Sequence, residues 1–275
     1  MSINRLFVTY KPQGLSSNRF LGQIKRKYGV KKAGFSGTLD PFAQGVLIVA
    51  FGQFTKLFRF LKKTQKSYRA TLWIGASSPT LDSEKIQSVQ NIMPFAPSSL
   101  DIIASSMKGE IEYLPPKYSA KKVDGQRAYK LARSEQEFEL KKIKSTIYDF
   151  KILHYMHPFL TFEITISEGG YIRSIGQIIA KKFGFDGSLT YLERLSEGAF
   201  VYEDEKELNP LEFIDIQDNE YLGDIADISL GRKLHVSDFA QTSDGLYKIV
   251  HADELSLLEI KDNEVEYILN KVKLC

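Results

Sequence analysis

The chain has 275 residues, of which 43% are hydrophobic and 26% charged, with a net charge of +3. That length exceeds the usual single core, so one large domain with a small appendage is expected. The longest apolar run, Val46 to Phe51, is far too short to span a bilayer, which excludes a membrane protein built of helices. The start, MSINRLFVTYKPQG, lacks the sections of a secretory signal, and the one cysteine is Cys275, so a disulfide within the chain is excluded and the cytoplasm is the expected compartment. His154, His157, His235 and His251 offer no zinc spacing with that thiol, so no metal site is expected.

In chain order, Arg5 to Tyr10 reads as a strand and Lys11-Pro-Gln-Gly14 as a turn. Ser16 or Ser17 then caps a helix with Phe20, Ile24 and Tyr28 on one face and Lys25, Arg26 and Lys27 on the other. The loop GFSGTLDPFAQG, Gly34 to Gly45, follows, then an apolar strand at Val46 to Phe51, a helix at about Phe54 to Lys62 and a strand near Tyr68 to Ile74. A helix is expected around Leu100 to Met107. The prolines of YLPPKYSAKKVDGQRAYKLAR mark a protruding loop near 113–135. Strands at about Ile143 to Leu153 and Leu160 to Ser167 lead into GGYIRSIGQIIAKKFG, a glycine turn entering a helix. Strands and helices without regular βαβ spacing favour an α+β sheet. Beyond an acidic linker at Glu212 to Asp227, the segments ISLGRKL, LYKIVHA, LSLLEI and EVEYILNKV read as short strands of a small β-barrel.

The modest net charge hides a strong asymmetry. Residues 1–70 carry fourteen lysines and arginines against one acid, Asp40, and no further acid comes before Asp82, whereas residues 201–275 carry seven basic and eighteen acidic residues. A basic half interleaved with Phe54, Phe58, Phe60 and Tyr68 suits a phosphate backbone and stacked bases, although a solvated basic face would have the same composition. Asp40-Pro41 is by itself a common turn former. Glycines at 34, 37 and 45 nevertheless let a ligand approach closely, as a nucleophile requires, and Arg173 could supply the counter-charge. Tyr68 is either a core ring or a stacking platform. Ser119-Ala-Lys-Lys122 fits S-x-x-K, but the companion patterns of a serine acylase are absent. No phosphate-binding or dinucleotide fingerprint is present, so no nucleotide cofactor is implied.

Together these pieces resemble the TruB-type tRNA pseudouridine synthases from about residue 5 to 200. KPQGLSSN, beginning at Lys11, is similar to the family's first motif, and AGFSGTLDPFAQGVLIVAFGQFTK to its second, with Asp40 in the position of the catalytic aspartate. KSYRATLWIG resembles the segment bearing the active-site tyrosine, here Tyr68. PPKYSAKKVDGQRAYKLAR, with Tyr118 and Lys122, resembles the loop that grips RNA. GGYIRS resembles the third motif, with Tyr171 and Arg173, and YLERL puts Leu192 where the family has a leucine beneath the target base.

The resemblance implies a pseudouridine synthase fold: an α+β, mainly antiparallel central sheet with flanking helices in residues 1–222, followed by a short PUA-like β-barrel in 223–275. It implies isomerisation of the T-loop uridine, position 55 of tRNA, without cofactor, at a flipped-out nucleotide. Asp40 would attack the ribose carbon or otherwise assist glycosidic cleavage, Arg173 would hold it ionised, and Tyr68 would stack on uracil and could receive its C5 proton. The tRNA T arm is the expected partner of a monomer needing no obligate protein partner. Three departures stand out: Phe35 where the family usually has histidine, GGYIR for GTYIR, and Glu193 for a common arginine. Phe35 can stack or wedge but cannot hydrogen-bond, which motivates the alternative of a non-catalytic tRNA-binding or folding protein on the same scaffold.

Overall fold

A computed structural model of the chain describes residues 4–123, 125–134 and 137–274; Asp124 and Glu135 of the expected RNA-gripping loop, and Cys275, lie outside the described residues. The elements in chain order are β1 Arg5–Lys11, α1 Ser17–Lys27, β2 Ala33–Ser36, β3 Gln44–Phe51, β4 Gln65–Ile74, β5 Ala76–Ser77, β6 Ser88–Val89, α2 Pro97–Ser105 and β7 Gly109–Tyr113. They continue with β8 Lys122–Val123, β9 Gln126–Arg127, α3 Ala128–Arg133, β10 Ile143–Met156, β11 Phe159–Ser167, α4 Ile172–Lys182 and β12 Gly187–Glu197. The last are β13 Glu207–Leu208, β14 Gln217–Asp218, α5 Ile225–Leu230, β15 Gly245–His251, β16 Glu254–Lys261 and β17 Glu264–Lys273.

The fold is α+β. Among the described residues a nine-stranded sheet runs β13-β1-β3-β12-β4-β11-β10-β7, with β2 added on β3. Its pairings are antiparallel except β12 on β3, which touch in parallel only at Glu193–Gln44 and Arg194–Gly45. Alternation explains why β3 reads as an unbroken apolar run, since both its faces are covered. Leu47, Val49 and Phe51 join Phe7, Phe20 and Ile24 beneath α1, while Val46, Ile48 and Ala50 pack with Leu255, Leu257 and Val272 of the C-terminal strands. A third cluster lies where β4, β11 and β12 turn Leu72, Phe162 and Leu189 toward Ile175 and Ile179 of α4.

The first helix starts at its sequence signal. The Ser16 hydroxyl accepts from the Arg19 amide and caps α1. Four expectations need correction. The segment Phe54 to Lys62 makes only a 3₁₀ turn, Gly52–Leu57, which is long enough to bury Phe54 and Leu57. Burial of Phe54 also withdraws that ring from base stacking, while Phe58 and Phe60 stay partly exposed against the core. ISLGRKL is not a strand: Asp224 caps α5 by accepting from the Ala226 amide, and Gly231 ends it at φ 67°. The acidic linker is wired into the fold, since Ile214 bridges to Leu61 and β14 pairs with β15.

The C-terminal strands form a four-stranded sheet in the order β14-β15-β16-β17. Alternation along β16 lets LSLLEI serve two cores: Leu255 and Leu257 face the main sheet, while Leu258 and Ile260 face a local cluster with Phe239 and Ile249. Among the described residues no helix is long and apolar enough to cross a membrane.

The meeting of β3 and β12 depends on Gly45. It sits at φ 111°, and a Cβ there would lie 2.3 Å from the Arg194 carbonyl oxygen. Gly45→Ala is expected to destabilise the protein by roughly 3 kcal/mol or more, read as a lower urea midpoint at unchanged m-value.

Candidate active site

The loop joining β2 to β3 carries Asp40, and three backbone and side-chain ties fix its shape. The Ser17 hydroxyl donates to the Leu39 carbonyl and accepts from the Leu39 amide, at 3.1 and 3.0 Å. The Gly14 amide donates to the Pro41 carbonyl at 2.8 Å, so the KPQGLSSN segment is the brace of the aspartate loop. Lys11, at the end of β1, is fully buried and spends its ammonium on the carbonyls of Pro12 and Leu15, at 2.9 and 2.6 Å. Burial pulls Lys11 down to about 8, partly countered by Asp40, so it remains cationic at neutral pH.

Arg173 stands in the first turn of α4 and is only 4% exposed. Its guanidinium reaches the Asp40 carboxylate at 2.9 Å and the buried Asp82 carboxylate at 3.5 Å. Its remaining donors go to the carbonyls of Thr80, at 2.8 Å, and Tyr118, at 2.9 Å. A buried guanidinium that presents five donors in a rigid fork can tie three chain segments in this way. Asp82 is itself fixed, accepting from the Thr80 hydroxyl at 2.6 Å and from the Glu84 amide at 3.1 Å.

Burial pushes the Asp40 carboxyl above the ordinary aspartate value, and Asp82 adds to the rise, while Arg173 and Lys11 pull it back. The basic field of the N-terminal segment therefore does not dominate, because desolvation acts at shorter range than exposed lysines do. The Asp40 side chain is still 35% exposed, whereas its partner Arg173 is 4% exposed.

That cavity, of about 230 Å³, brings together Asp40, Tyr68, Tyr171, Arg173 and Leu192. Tyr68 and Leu192 face it from β4 and β12. Tyr171 caps α4, and its amide donates to the Tyr113 hydroxyl at 3.0 Å. Burial pushes the phenols of Tyr68 and Tyr171 up. A phenol so raised is protonated at neutral pH, which makes Tyr68 a poor resting base and favours stacking and hydrogen bonding.

Other expected residues lie apart. Phe35, on β2, packs against the cluster beneath α1 and does not line the cavity. Tyr118 offers its carbonyl to Arg173 while its ring lies beside Lys85, and Lys122 is exposed on β8. The sequence reading missed Asp82, Lys66 and Arg194. Asp82 is indistinguishable in sequence from an ordinary turn and cap residue, the two cations from surface charges.

The structure accounts for two of the departures. A Cβ at Gly170 would lie 2.6 Å from the Ile166 side chain, so glycine goes with that isoleucine. Glu193 accepts from the hydroxyls of Tyr10 and Tyr191, at 2.7 and 2.6 Å, and Gln44 donates to both phenols, at 2.9 and 3.0 Å. Burial, with Glu193, pushes Tyr191 up to about 12. Among the described residues no group of three or more His, Cys, Asp or Glu side chains is arranged to hold a metal.

Fold and cavity define an α+β enzyme organised around one carboxylate. Residues 25–172 match the profile described as TruB family pseudouridylate synthase (N terminal domain). The chain is 55% identical over 273 residues to the tRNA pseudouridine synthase B of Campylobacter curvus, covering 99% of this chain and 100% of that one. It is 50% identical over 270 residues to the protein of that name from Sulfurovum sp., covering 98% of each. A chain of the Cbf5-Nop10-Gar1 complex superposes over 97% of this chain and 84% of its own length with a TM-score of 0.67 at 19% identity, a likeness of fold. The chain belongs to the TruB family of pseudouridylate synthases.

Because Asp82 raises Asp40, its removal has a definite sign. In a carboxyl-carbon NMR titration Asp40 is expected to titrate above the ordinary value of about 3.9, and Asp82→Asn to move that titration to lower pH.

Proposed function

We propose that this enzyme isomerises the T-loop uridine at position 55 of tRNA to pseudouridine without a cofactor. The observation that carries the reading is the 2.9 Å pair of Asp40 with buried Arg173, at the edge of a cavity walled by Tyr68 and Leu192. A target base inside a folded loop must leave its stack, at a cost of a few kcal/mol, and a pocket of this size receives one extruded nucleotide rather than a duplex. Tyr68 stacks on the uracil from one side and Leu192 supports it from the other. Asp40, held by Arg173, acts at the ribose as the bond from C1′ to N1 breaks. The uracil turns, its C5 bonds to C1′, the C5 proton is lost to solvent and N1 takes one up in its place, so the product is an isomer and no co-reactant is consumed.

Exposed Arg19, Arg26, Lys31, Lys32, Lys56 and Arg59 supply positive charge for the phosphates of the T arm. Tyr118 and Lys122 belong to the segment that grips RNA, and Phe35 acts indirectly, by fixing β2 ahead of the Asp40 loop. Residues 1–222 form the catalytic domain, and 223–275 are a reduced PUA-like module with a weaker RNA role, since its acidic surface repels phosphate. The enzyme acts as a monomer in the cytoplasm, with no obligate protein partner.

The test is tritium release from a tRNA transcript labelled at uridine C5, with mass-spectrometric mapping of the modified position. Asp40→Asn is expected to lower turnover by about a thousandfold or more while tRNA affinity stays within about threefold. Undiminished release by that variant would remove Asp40 from the chemistry, and tRNA binding without release by the unaltered protein would favour the non-catalytic reading.

A further inference from the structure

The floor of the cavity holds a second set of buried charges, separate from the Asp40–Arg173–Asp82 group. Arg194 is 1% exposed and Lys66 is 8% exposed, and both line the cavity beside Tyr68. Between them, with no exposed surface, lies the Glu197 carboxylate, 3.3 Å from the Lys66 ammonium and 3.4 Å from the Arg194 guanidinium. Neither Glu197 oxygen accepts a hydrogen bond. Placing a carboxylate there is expensive, because desolvation of an ion is offset only by close, well-directed partners.

Arg194 joins the two halves of the site. It donates to the Val46 carbonyl at 2.8 Å and to the Gly37 carbonyl, three residues before Asp40, at 2.7 Å. In the β12–β4 ladder it stands directly across from Tyr68. The second-motif loop leaves space for this group: a Cβ at Gly37 would lie 2.6 Å from a Glu197 oxygen and 3.0 Å from the Arg194 guanidinium. A single guanidinium thus spans the aspartate loop, β3 and the stacking tyrosine, and among the described residues Glu197 is the only carboxylate paired with it.

We propose that Glu197 is a positioning residue for the isomerisation: it holds Arg194, and through it the hydroxyl of Tyr68, in register with Asp40. This inference rests on the functional reading above, in which Tyr68 stacks on the uracil. Arg194 pulls the Tyr68 phenol down against the burial that raises it, and Glu197 pushes it up. Loss of the Glu197 charge therefore leaves the hydroxyl less well held and lowers the pH at which Tyr68 ionises.

The experiment measures kcat and KM by tritium release from C5-labelled tRNA transcript for Glu197→Gln, Tyr68→Phe and the double variant, across pH, with melting temperatures recorded for each. Glu197→Gln is expected to lower kcat about tenfold with KM within about twofold, and to move the alkaline limb of the pH profile to lower pH. In the Tyr68→Phe background the same change is expected to have no further effect on kcat, since the group it positions is gone. Additive losses in the double variant, or a kcat that falls equally at every pH in step with the melting temperature, would overturn the proposal. Arg194→Lys, which keeps the charge and loses the fork, is expected to reproduce the kcat loss and its dependence on Tyr68. Failure of both Glu197→Gln and Arg194→Lys to fold would make the group a structural element only and overturn the proposal as well. Absence of release by the unaltered enzyme would instead count against the functional reading itself.

Discussion

The burial of the Arg173 guanidinium is the constraint on which the site depends. A cation that is 4% exposed must find acceptors for its donors, and it finds them in two carboxylates and two carbonyls supplied by the Asp40 loop, the segment 80–82 and the start of the loop after β7. None of those segments touches another in sequence. They meet because α4 begins at Tyr171, directly after β11, and because the sheet order places β12 between β3 and β4. The sheet is thus less a platform than a way of bringing three chain segments to one guanidinium.

Two-sided burial of β1 and β3 gives that arrangement its rigidity. With α1 on one face and the C-terminal strands on the other, neither strand can tilt without opening a core, and the loop between β2 and β3 inherits the restraint. The C-terminal strands therefore have a structural duty whatever their part in binding. Leu255, Leu257 and Val272 fill the back of the strands that flank the Asp40 loop. Glu205 performs a comparable service at the surface, accepting from Thr9 at 3.0 Å, Lys27 at 2.6 Å and the Tyr28 hydroxyl, and so binding α1 to the return of the chain after β12.

What was legible in the sequence follows physical range. Strands and helices with unbroken periodicity, such as Arg5 to Tyr10 or the helix after Tyr171, were readable because local pattern and tertiary burial agree. Asp40, Tyr68, Tyr171, Arg173 and Leu192 were identifiable as a set, and they do share one cavity. Asp82, Lys66, Arg194 and Glu197 were not, because a buried ion in a strand or turn carries the same letter as a solvated one, and only long-range packing tells them apart. The α5 segment failed for a different reason. Asp224 caps it and Gly231 stops it in the structure, but a six-residue helix gives too few turns for its period to outweigh neighbouring strands.

The two buried charge groups have opposite signs, which bears on the direction of the chemistry. Asp40, Asp82 and Arg173 sum to one negative charge, and Lys66, Arg194 and Glu197 to one positive charge, and Asp40, Arg173, Lys66 and Arg194 line the same cavity. In the proposed reaction the glycosidic bond parts its electrons unequally: the uracil leaves with negative charge and the ribose carbon is left positive. With Asp40 acting at the ribose, and Lys66 and Arg194 beside the Tyr68 on which the uracil is proposed to stack, the groups oppose no charge that develops and stabilise both. Because the groups are buried, their fields are little screened and they need no reorganisation as the bond breaks. The basic surface that would gather tRNA is a separate matter, open to salt and spread over many lysines. A single acid in the first seventy residues is then what this division requires: charge for capture is abundant and exposed, while charge for chemistry is scarce, paired and enclosed.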